Sequence, residues 1–324
     1  MQVLVTGSAG FIGAAVARAL LDRQINVLGV DNFNTYYNPS LKYKRITQLE
    51  ISENYRHAAI DISNAESVQN VFEKFKPEIV IHLAAQAGVR HAEINPHSYG
   101  QSNLIGFLNI LECSKSNIRH LIYASSSSVY GTNKTLPFRE SDPISTPTSL
   151  YAATKIANEA MAHAYSITHS LRTTGMRFFT VYGPWGRPDM MPVKFARLIL
   201  SGEPIELFNN GNHMRDFTYI DDVVDAVLKI FDMAPTTEKF NSEVFNIGSS
   251  NPIRLLEFVD LLEKCLGKIS YRQFSAHQIS DMIDTHANNE KIHNATGWSP
   301  NIPISSGIEL LANWALANPD YLKL

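Results

Sequence analysis

The chain begins with an apolar run that breaks into glycines at a spacing of three: Gln2-Val-Leu-Val-Thr6-Gly7-Ser8-Ala9-Gly10-Phe11-Ile12-Gly13. A helix-like stretch runs on from Ala14 to Leu21. Strand, side-chain-free turn and helix start together make a cradle for a pyrophosphate. Bare backbone approaches the phosphates closely, and the helix offers N–H groups and the positive end of its dipole. Three spaced glycines also serve plain tight turns, so the motif gains its weight from the next strand. That second apolar run, Ile25-Asn-Val-Leu-Gly-Val30, ends in Asp31, eighteen residues after Gly13. An acid at that distance suits the ribose 2′-hydroxyl of NAD and repels the 2′-phosphate of NADP. The expectation is an NAD site on Gly7, Gly10, Phe11, Ile12, Gly13 and Asp31.

Short apolar runs then alternate with helical patterns. Strands are expected at Arg56–Ile62, Glu78–Ala85, Ile118–Ser125 and Thr173–Val181, with helices at Ala65–Phe75, Gln101–Lys115 and Leu150–His169. Such alternation predicts an α/β fold with a Rossmann-like, doubly wound parallel sheet. Its ligand crevice lies at the carboxyl ends of the strands. Those ends carry Asp31, Asp61, Ala84-Ala85-Gln86, Ser125–Ser128 and Thr180–Tyr182. From Tyr182 the character changes. Tyr182-Gly-Pro-Trp-Gly-Arg-Pro188 and Asn209-Asn-Gly-Asn212 are turn-rich. A helix at Asp221–Met233, a strand at Val244–Gly248 and helices at Leu255–Leu266 and Ile304–Ala315 complete the pattern. Residues 1–182, with about 217–248, are expected to form the NAD-binding domain. Residues 183–216 and 249–324 are expected to form a smaller, mostly helical substrate domain.

Composition excludes several function classes. A chain of 324 residues, 44% hydrophobic, supports a full core. The net charge of −3, with basic residues scattered, gives no electrostatic case for nucleic acid or an anionic membrane. The first strand starts at residue 2, which leaves no room for a signal peptide. No apolar run reaches membrane-spanning length, so a cytoplasmic location is the expectation. Cys113 and Cys265 have no ligand or redox spacing. His82, His91, His97 and His120 lack a ligand spacing with an acid, so no metal site is expected.

Tyr151-Ala-Ala-Thr-Lys155 opens a predicted helix, and a spacing of four puts Tyr151 and Lys155 on one face. A free tyrosine titrates near pH ~10. A neighbouring ammonium favours the phenolate, so a buried Tyr–Lys pair can serve as a general base near neutral pH. Tyr-x-x-x-Lys also arises often by chance on amphipathic helices. Position adds weight: Tyr123-Ala-Ser125-Ser-Ser-Ser128 is a strand ending in hydroxyls at the same predicted sheet edge. A serine there can hydrogen-bond a substrate hydroxyl.

At these residues the chain resembles the extended short-chain dehydrogenase/reductases, specifically their nucleotide-sugar epimerases. The matching features are Thr6-Gly7-x-x-Gly10-x-x-Gly13, Asp31-Asn32, Asp61, His82-Leu-Ala-Ala85, Asn103, Ser125-Ser126, Tyr151-x-x-x-Lys155 and Arg215-Asp-Phe-x-Tyr219-x-x-Asp222. Within that family it most resembles the UDP-glucuronate 4-epimerases. The carrying segments are Asp31-Asn-Phe-Asn-Thr-Tyr-Tyr37, Ala85-Gln-Ala-Gly-Val-Arg90, Ser149-Leu-Tyr-Ala-Ala-Thr-Lys155 and Arg177-Phe-Phe-Thr-Val-Tyr-Gly-Pro-Trp-Gly-Arg-Pro-Asp189. The segment Ser280-Asp281-Met-Ile-Asp-Thr-His286-Ala-Asn288 departs from the family, which usually has glycine at 280 and aspartate at 288.

The resemblance implies an isomerase with tightly bound NAD. It would interconvert UDP-glucuronate and UDP-galacturonate through a transient 4-keto sugar; a neutral or N-acetylated UDP-hexose is the alternative substrate, and a non-catalytic NAD-binding scaffold the alternative class. Tyr151 would take the proton of the sugar 4-hydroxyl. Lys155 would bind the nicotinamide ribose and depress the Tyr151 pKa. Ser126, with Ser128, would orient the 4-oxygen. The resemblance extends the NAD site to Asn32, Asn34, Asp61, Ile62, Leu83, Ala84, Ala85, Gln86 and Asn103. Arg215 would pair with the diphosphate. Arg90 and Arg187 are candidates for diphosphate or carboxylate, Thr180 for the carboxylate, and Asp281 for the uridine side. Dehydratases of the family carry Asp-Glu after the residue at 126, and decarboxylases a glutamate two places after it. Ser127 and Ser128 stand there, which favours epimerisation. The family is usually a homodimer, paired through helices near 101–115 and 150–169.

Overall fold

The strand Gln2–Thr6 (β1) sends Val3 and Val5 into one hydrophobic core and Leu4 into another, because alternate side chains leave a strand on opposite faces. Both faces are covered, so its residues run continuously apolar, as a buried parallel strand requires. The computed structural model describes residues 1–233, 242–276, 282 and 284–322. Further strands are β2 (Asn26–Asp31), β3 (Tyr55–Ala59), β4 (Ile79–His82), β5 (His120–Ser126), β6 (Thr173–Phe178) and β7 (Thr180–Tyr182). After them come β8 (Pro204–Phe208), β9 (Met214–Arg215), β10 (Phe217–Tyr219), β11 (Ser242–Ile247), β12 (Ile253–Arg254) and β13 (Tyr271–Ser275).

Seven strands form a parallel sheet in the order β11-β6-β5-β4-β1-β2-β3. The order reverses between β1 and β4, which opens a crevice above their carboxyl ends. On one face Val16, Ala17 and Leu20 of the Phe11–Asp22 helix pack with Val223, Ala226 and Val227 of the Ile220–Asp232 helix. On the other, Phe107, Ile110 and Leu111 pack near Ala162. A further core joins the helices Met191–Ser201, Leu255–Leu266 and Ile304–Ala317 around Phe258 and Trp314. Three two-stranded sheets (β10–β7, β12–β9 and β13–β8) lie outside the main sheet. Among the described residues no helix is long and apolar enough to cross a membrane.

The long helix Leu150–His169 begins where the sequence predicts it, because Ser149 caps it: its side chain accepts from the Ala152 N–H at 3.1 Å. Other expectations change. The strand predicted over Thr173–Val181 breaks at Phe179, whose N–H bonds to Ile247, and restarts as β7 against β10. The strands predicted at Arg56–Ile62 and Glu78–Ala85 stop early, at Ala59 and His82. The helix predicted over Gln101–Lys115 opens as a π turn, Gly100–Ile105, before the α segment Gly106–Ser114. The helices Ser40–Leu49 and Met191–Ser201 carried no predicted element; the first reads as polar, and the second, though apolar, follows a turn-rich segment and opens on Pro192.

Candidate active site

A cavity of about 630 Å³ opens above the carboxyl ends of β1, β2, β4 and β5. Its floor is the glycine turn. Gly7 has φ +71°, and a Cβ there would lie 2.7 Å from the Ala84 backbone nitrogen. A Cβ on Gly13 would lie 2.1 Å from the Gly7 carbonyl oxygen. Helix and strand meet only because these side chains are absent. The Phe11–Asp22 helix has no side-chain cap and no acid in its first turn. Its N-terminal end, with Gly10, Phe11, Ile12 and Gly13, faces the cavity. An uncapped positive helix end over bare backbone fits a pyrophosphate.

Asp31 closes β2 at the cavity wall, 8% exposed. It accepts from the Ala9 N–H (3.3 Å) and the Phe33 N–H (2.9 Å). Lys42 stands 3.7 Å from it and donates to the Asn34 carbonyl and amide oxygens at 3.1 and 3.0 Å. Burial lowers the Lys42 pKa, while Asp31 opposes that. Asn32, Asn34, Ile62, Leu83, Ala84, Ala85 and Gln86 line the same wall. Two residues predicted for the cofactor do not. Asp61 sits behind Asn32 and accepts from its amide at 2.8 Å. Asn103, on the π turn and buried, accepts from the Gln86 N–H at 2.8 Å. It donates to the Gln86 carbonyl and to Thr154, both at 3.0 Å. Both bond to residues that line the wall.

On the opposite wall β5 ends in hydroxyls. Ser126 Oγ donates to Ser128 Oγ and accepts from the Ser128 N–H, both at 3.2 Å. Tyr151 lines the cavity beside these hydroxyls. Burial raises the Tyr151 pKa; Ser126 and the positive charge of Arg187 lower it. The family resemblance assigned that lowering to Lys155. Lys155 Nζ instead donates to the Ala124 carbonyl at 2.9 Å and lies 6.0 Å from the Tyr151 ring centre. Burial pushes Lys155 itself down to about 8, against the upward pull of Glu159.

The remaining wall is cationic. Thr180, Arg90, Arg187 and Arg215 all line the cavity. Arg187 grips Asp189 with Nε (3.0 Å) and Nη2 (2.5 Å), and lies over the Tyr36 ring. Tyr36 donates to the same carboxylate at 3.0 Å. Burial works to lower the Arg187 pKa, but Asp189 holds it above the ordinary value. Arg90 stacks 4.1 Å from the centre of the Phe208 ring. Arg215 donates to the carbonyls of Met214 (3.1 Å) and Met282 (2.5 Å). Asp281 lies outside the described residues. Among the described residues no three His, Cys, Asp or Glu side chains cluster as metal ligands.

Sequence reasoning passed over Tyr36, Lys42, Asp189 and Lys194, all on the cavity wall. Tyr36 and Asp189 stand inside motifs already singled out, at the two ends of one hydrogen bond that spans 153 residues. No local pattern pairs them.

A profile described as the NAD dependent epimerase/dehydratase family matches residues 3–248. A probable UDP-glucuronate 4-epimerase of Rhizobium meliloti is 38% identical, over 97% of this chain and 96% of that one. UDP-glucuronate 4-epimerase 3 of Arabidopsis thaliana is 44% identical, over 97% of this chain and 76% of that one. The crystal structure of UDP-glucuronic acid 4-epimerase from Bacillus cereus, in complex with UDP-glucuronic acid and NAD, superposes with a TM-score of 0.91. It shares 31% identity and covers 98% of this chain and 99% of that one.

Proposed function

The chain belongs to the NAD dependent epimerase/dehydratase family, and on that premise we propose that it is an NAD-dependent UDP-sugar 4-epimerase acting on UDP-glucuronate. One observation carries the choice of substrate. The Arg187 guanidinium lines the same cavity as Tyr151, together with Thr180. C4 and C6 of a hexuronate stand on either side of C5. A base at the 4-hydroxyl therefore brings the C6 carboxylate beside that cation. A carboxylate shielded from water needs such a partner.

The glycine turn, the uncapped helix end and Asp31 hold the cofactor. When bound, NAD supplies reversible oxidation at the sugar C4. Tyr151 Oη takes the 4-hydroxyl proton and returns it after the sugar has turned. Ser126 orients the 4-oxygen, with Ser128 fixing Ser126. Lys155 binds the nicotinamide ribose and favours the Tyr151 phenolate. Arg215 and Arg90 hold the diphosphate, Thr180 and Arg187 the carboxylate. Positions 127 and 128 carry only hydroxyls, so no acid stands there to expel a leaving group.

We assign residues 1–182 with about 217–248 to the cofactor domain, and 183–216 with 249–324 to the sugar domain. Contact between the Phe11–Asp22 and Ile220–Asp232 helices supports the first grouping. Ile105, Leu108, Leu150 and Ile167 are exposed on the two helical segments that the family uses to pair, which supports a homodimer. The test of the substrate is incubation of the purified protein with UDP-glucuronate, UDP-glucose and UDP-N-acetylglucosamine, and then separation of epimers. Conversion of UDP-glucuronate to UDP-galacturonate is expected. Turnover of the neutral sugars alone would keep the 4-epimerase and remove the uronate.

A further inference from the structure

Three successive residues of β5 are keyed to three residues spaced four apart on the Leu150–His169 helix. Ser126 lines the cavity beside Tyr151. The Ala124 carbonyl accepts from Lys155 at 2.9 Å. Ser125 Oγ donates to Glu159 Oε1 at 2.5 Å. A four-residue spacing puts Tyr151, Lys155 and Glu159 on one helical face. The first two line the cavity and the third lies behind them, 8% exposed.

Glu159 is tied more firmly than a packing residue needs. Arg177 of β6, 3% exposed, reaches both its oxygens, with Nε at 2.9 Å and Nη2 at 2.7 Å. The other guanidinium nitrogen donates to Tyr130 Oη (3.0 Å) and the Glu140 carbonyl (3.3 Å). A buried ion pair returns little net stability compared with apolar packing of the same volume, so stability alone is a weak reason for it. What the forked geometry supplies is orientation.

We propose that Glu159, locked by Arg177 and Ser125, is a positioning residue for the acid–base pair. It sets the helix against β5 so that Tyr151 stands beside Ser126 and Lys155 reaches the Ala124 carbonyl. The proposal rests on the reading of Tyr151 and Lys155 as that pair. The groups around Lys155 support it. Tyr151 and Glu159 face it from its own helix and His82 from β4; Arg177 of β6 and Tyr123 of β5 face Glu159. Burial holds His82 neutral, its pKa pushed down to about 3. Glu159 is the group that raises the Lys155 pKa against burial.

Two variants separate charge from reach. Glu159→Gln keeps an oxygen for Ser125 and Arg177 but removes the charge. Glu159→Asp keeps the charge but is one methylene too short for Ser125. Competitive labelling of Lys155 with trace acetic anhydride across pH, read by peptide mass, gives its ionisation without turnover. In Glu159→Gln the Lys155 midpoint should fall by about one pH unit or more, and the alkaline limb of kcat should move with it. In Glu159→Asp the midpoint should stay, while kcat falls about 10- to 100-fold with KM for the UDP-sugar and bound NAD unchanged. Should Glu159→Gln not fold, Ser125→Ala replaces it, with kcat lowered and KM unchanged as the expected result. An unmoved Lys155 midpoint in folded Glu159→Gln would show that Lys155 is not held in place through Glu159. Wild-type kcat in both Glu159→Asp and Ser125→Ala would overturn the positioning role. Wild-type turnover in Tyr151→Phe would instead strike the acid–base reading, and the labelling result would stand apart from it.

Discussion

The two sides of the cavity are built by different means. The cofactor side is backbone held by near neighbours: three glycines within seven residues, an uncapped helix end, and Asp31 bonded to the N–H groups of Ala9 and Phe33. The sugar side is side chains held by distant ones. Arg187 is fixed by Asp189, which Tyr36 reaches across 153 residues. Arg45 donates to the Ala9 carbonyl and, across 140 residues, to the Trp185 carbonyl. A backbone cradle binds a constant group, the pyrophosphate, at little cost in conformational entropy. A wall of pre-paired cations is adjustable and can be retuned one residue at a time. Arg187 is already paired with Asp189, so an anion arriving at this wall would have to share its guanidinium.

That contrast can be broken at four places. The largest effect belongs to the base shared by both sides. Tyr151→Phe should lower kcat by about 10²–10⁴-fold while NAD remains bound, measured as turnover and as dinucleotide released on denaturation. Near-normal turnover would remove Tyr151 from the chemistry.

Arg187→Ala comes next. Truncating one partner of a buried charge pair costs about 2–5 kcal/mol, so kcat/KM for UDP-glucuronate should fall between about 30-fold and a few thousand-fold. UDP affinity, read by calorimetry, should change little. An equal loss of UDP binding would move Arg187 to the diphosphate.

Asp31→Ser tests the cradle. With the carboxylate gone and Lys42 freed from it, the preference for NAD over NADP should shrink by about tenfold or more. An unchanged ratio would show that selectivity lies elsewhere.

The fourth effect is on stability rather than activity. Burial pushes the pKa values of His82 and His120 from 6.5 down to about 3. Below pH 6.5 the unfolded chain takes protons that the folded chain refuses. Stability should therefore be full above 6.5 and fall as pH drops from 6.5 toward 3, by up to about 1.4 kcal/mol per pH unit for each histidine. Tm measured across that window should fall less steeply in His120→Gln; equal slopes would exclude the histidine.

Much of the first side was legible in the sequence. The glycine spacing, the acid after β2, the hydroxyl run after β5 and the capped Tyr–Lys helix are local patterns whose geometry is set by chain covalency. The helix Leu150–His169 keeps its predicted bounds because Ser149 caps it and an apolar face lies beyond. The π turn was not legible: its departure from α geometry comes with Asn103 bonding Gln86 and Thr154, contacts far along the chain. Nor was the source of the Tyr151 environment. Spacing put Lys155 on the face of Tyr151, where its ammonium lies over the ring, but Ser126 and Arg187 come to it from other segments. Helix periodicity says which residues share a face, not where a long side chain ends. The Ser40–Leu49 helix escaped notice because its buried positions include Lys42 and Arg45, charged residues whose partners lie in other segments.

The central claim is inversion at C4 of UDP-glucuronate with the C4 hydrogen kept within the site. UDP-glucuronate deuterated at C4, incubated with the NAD-loaded protein in ordinary water, tests it most directly. The predicted product is UDP-galacturonate carrying deuterium at C4. UDP-galacturonate with protium at C4, or no UDP-galacturonate at all, would contradict the account.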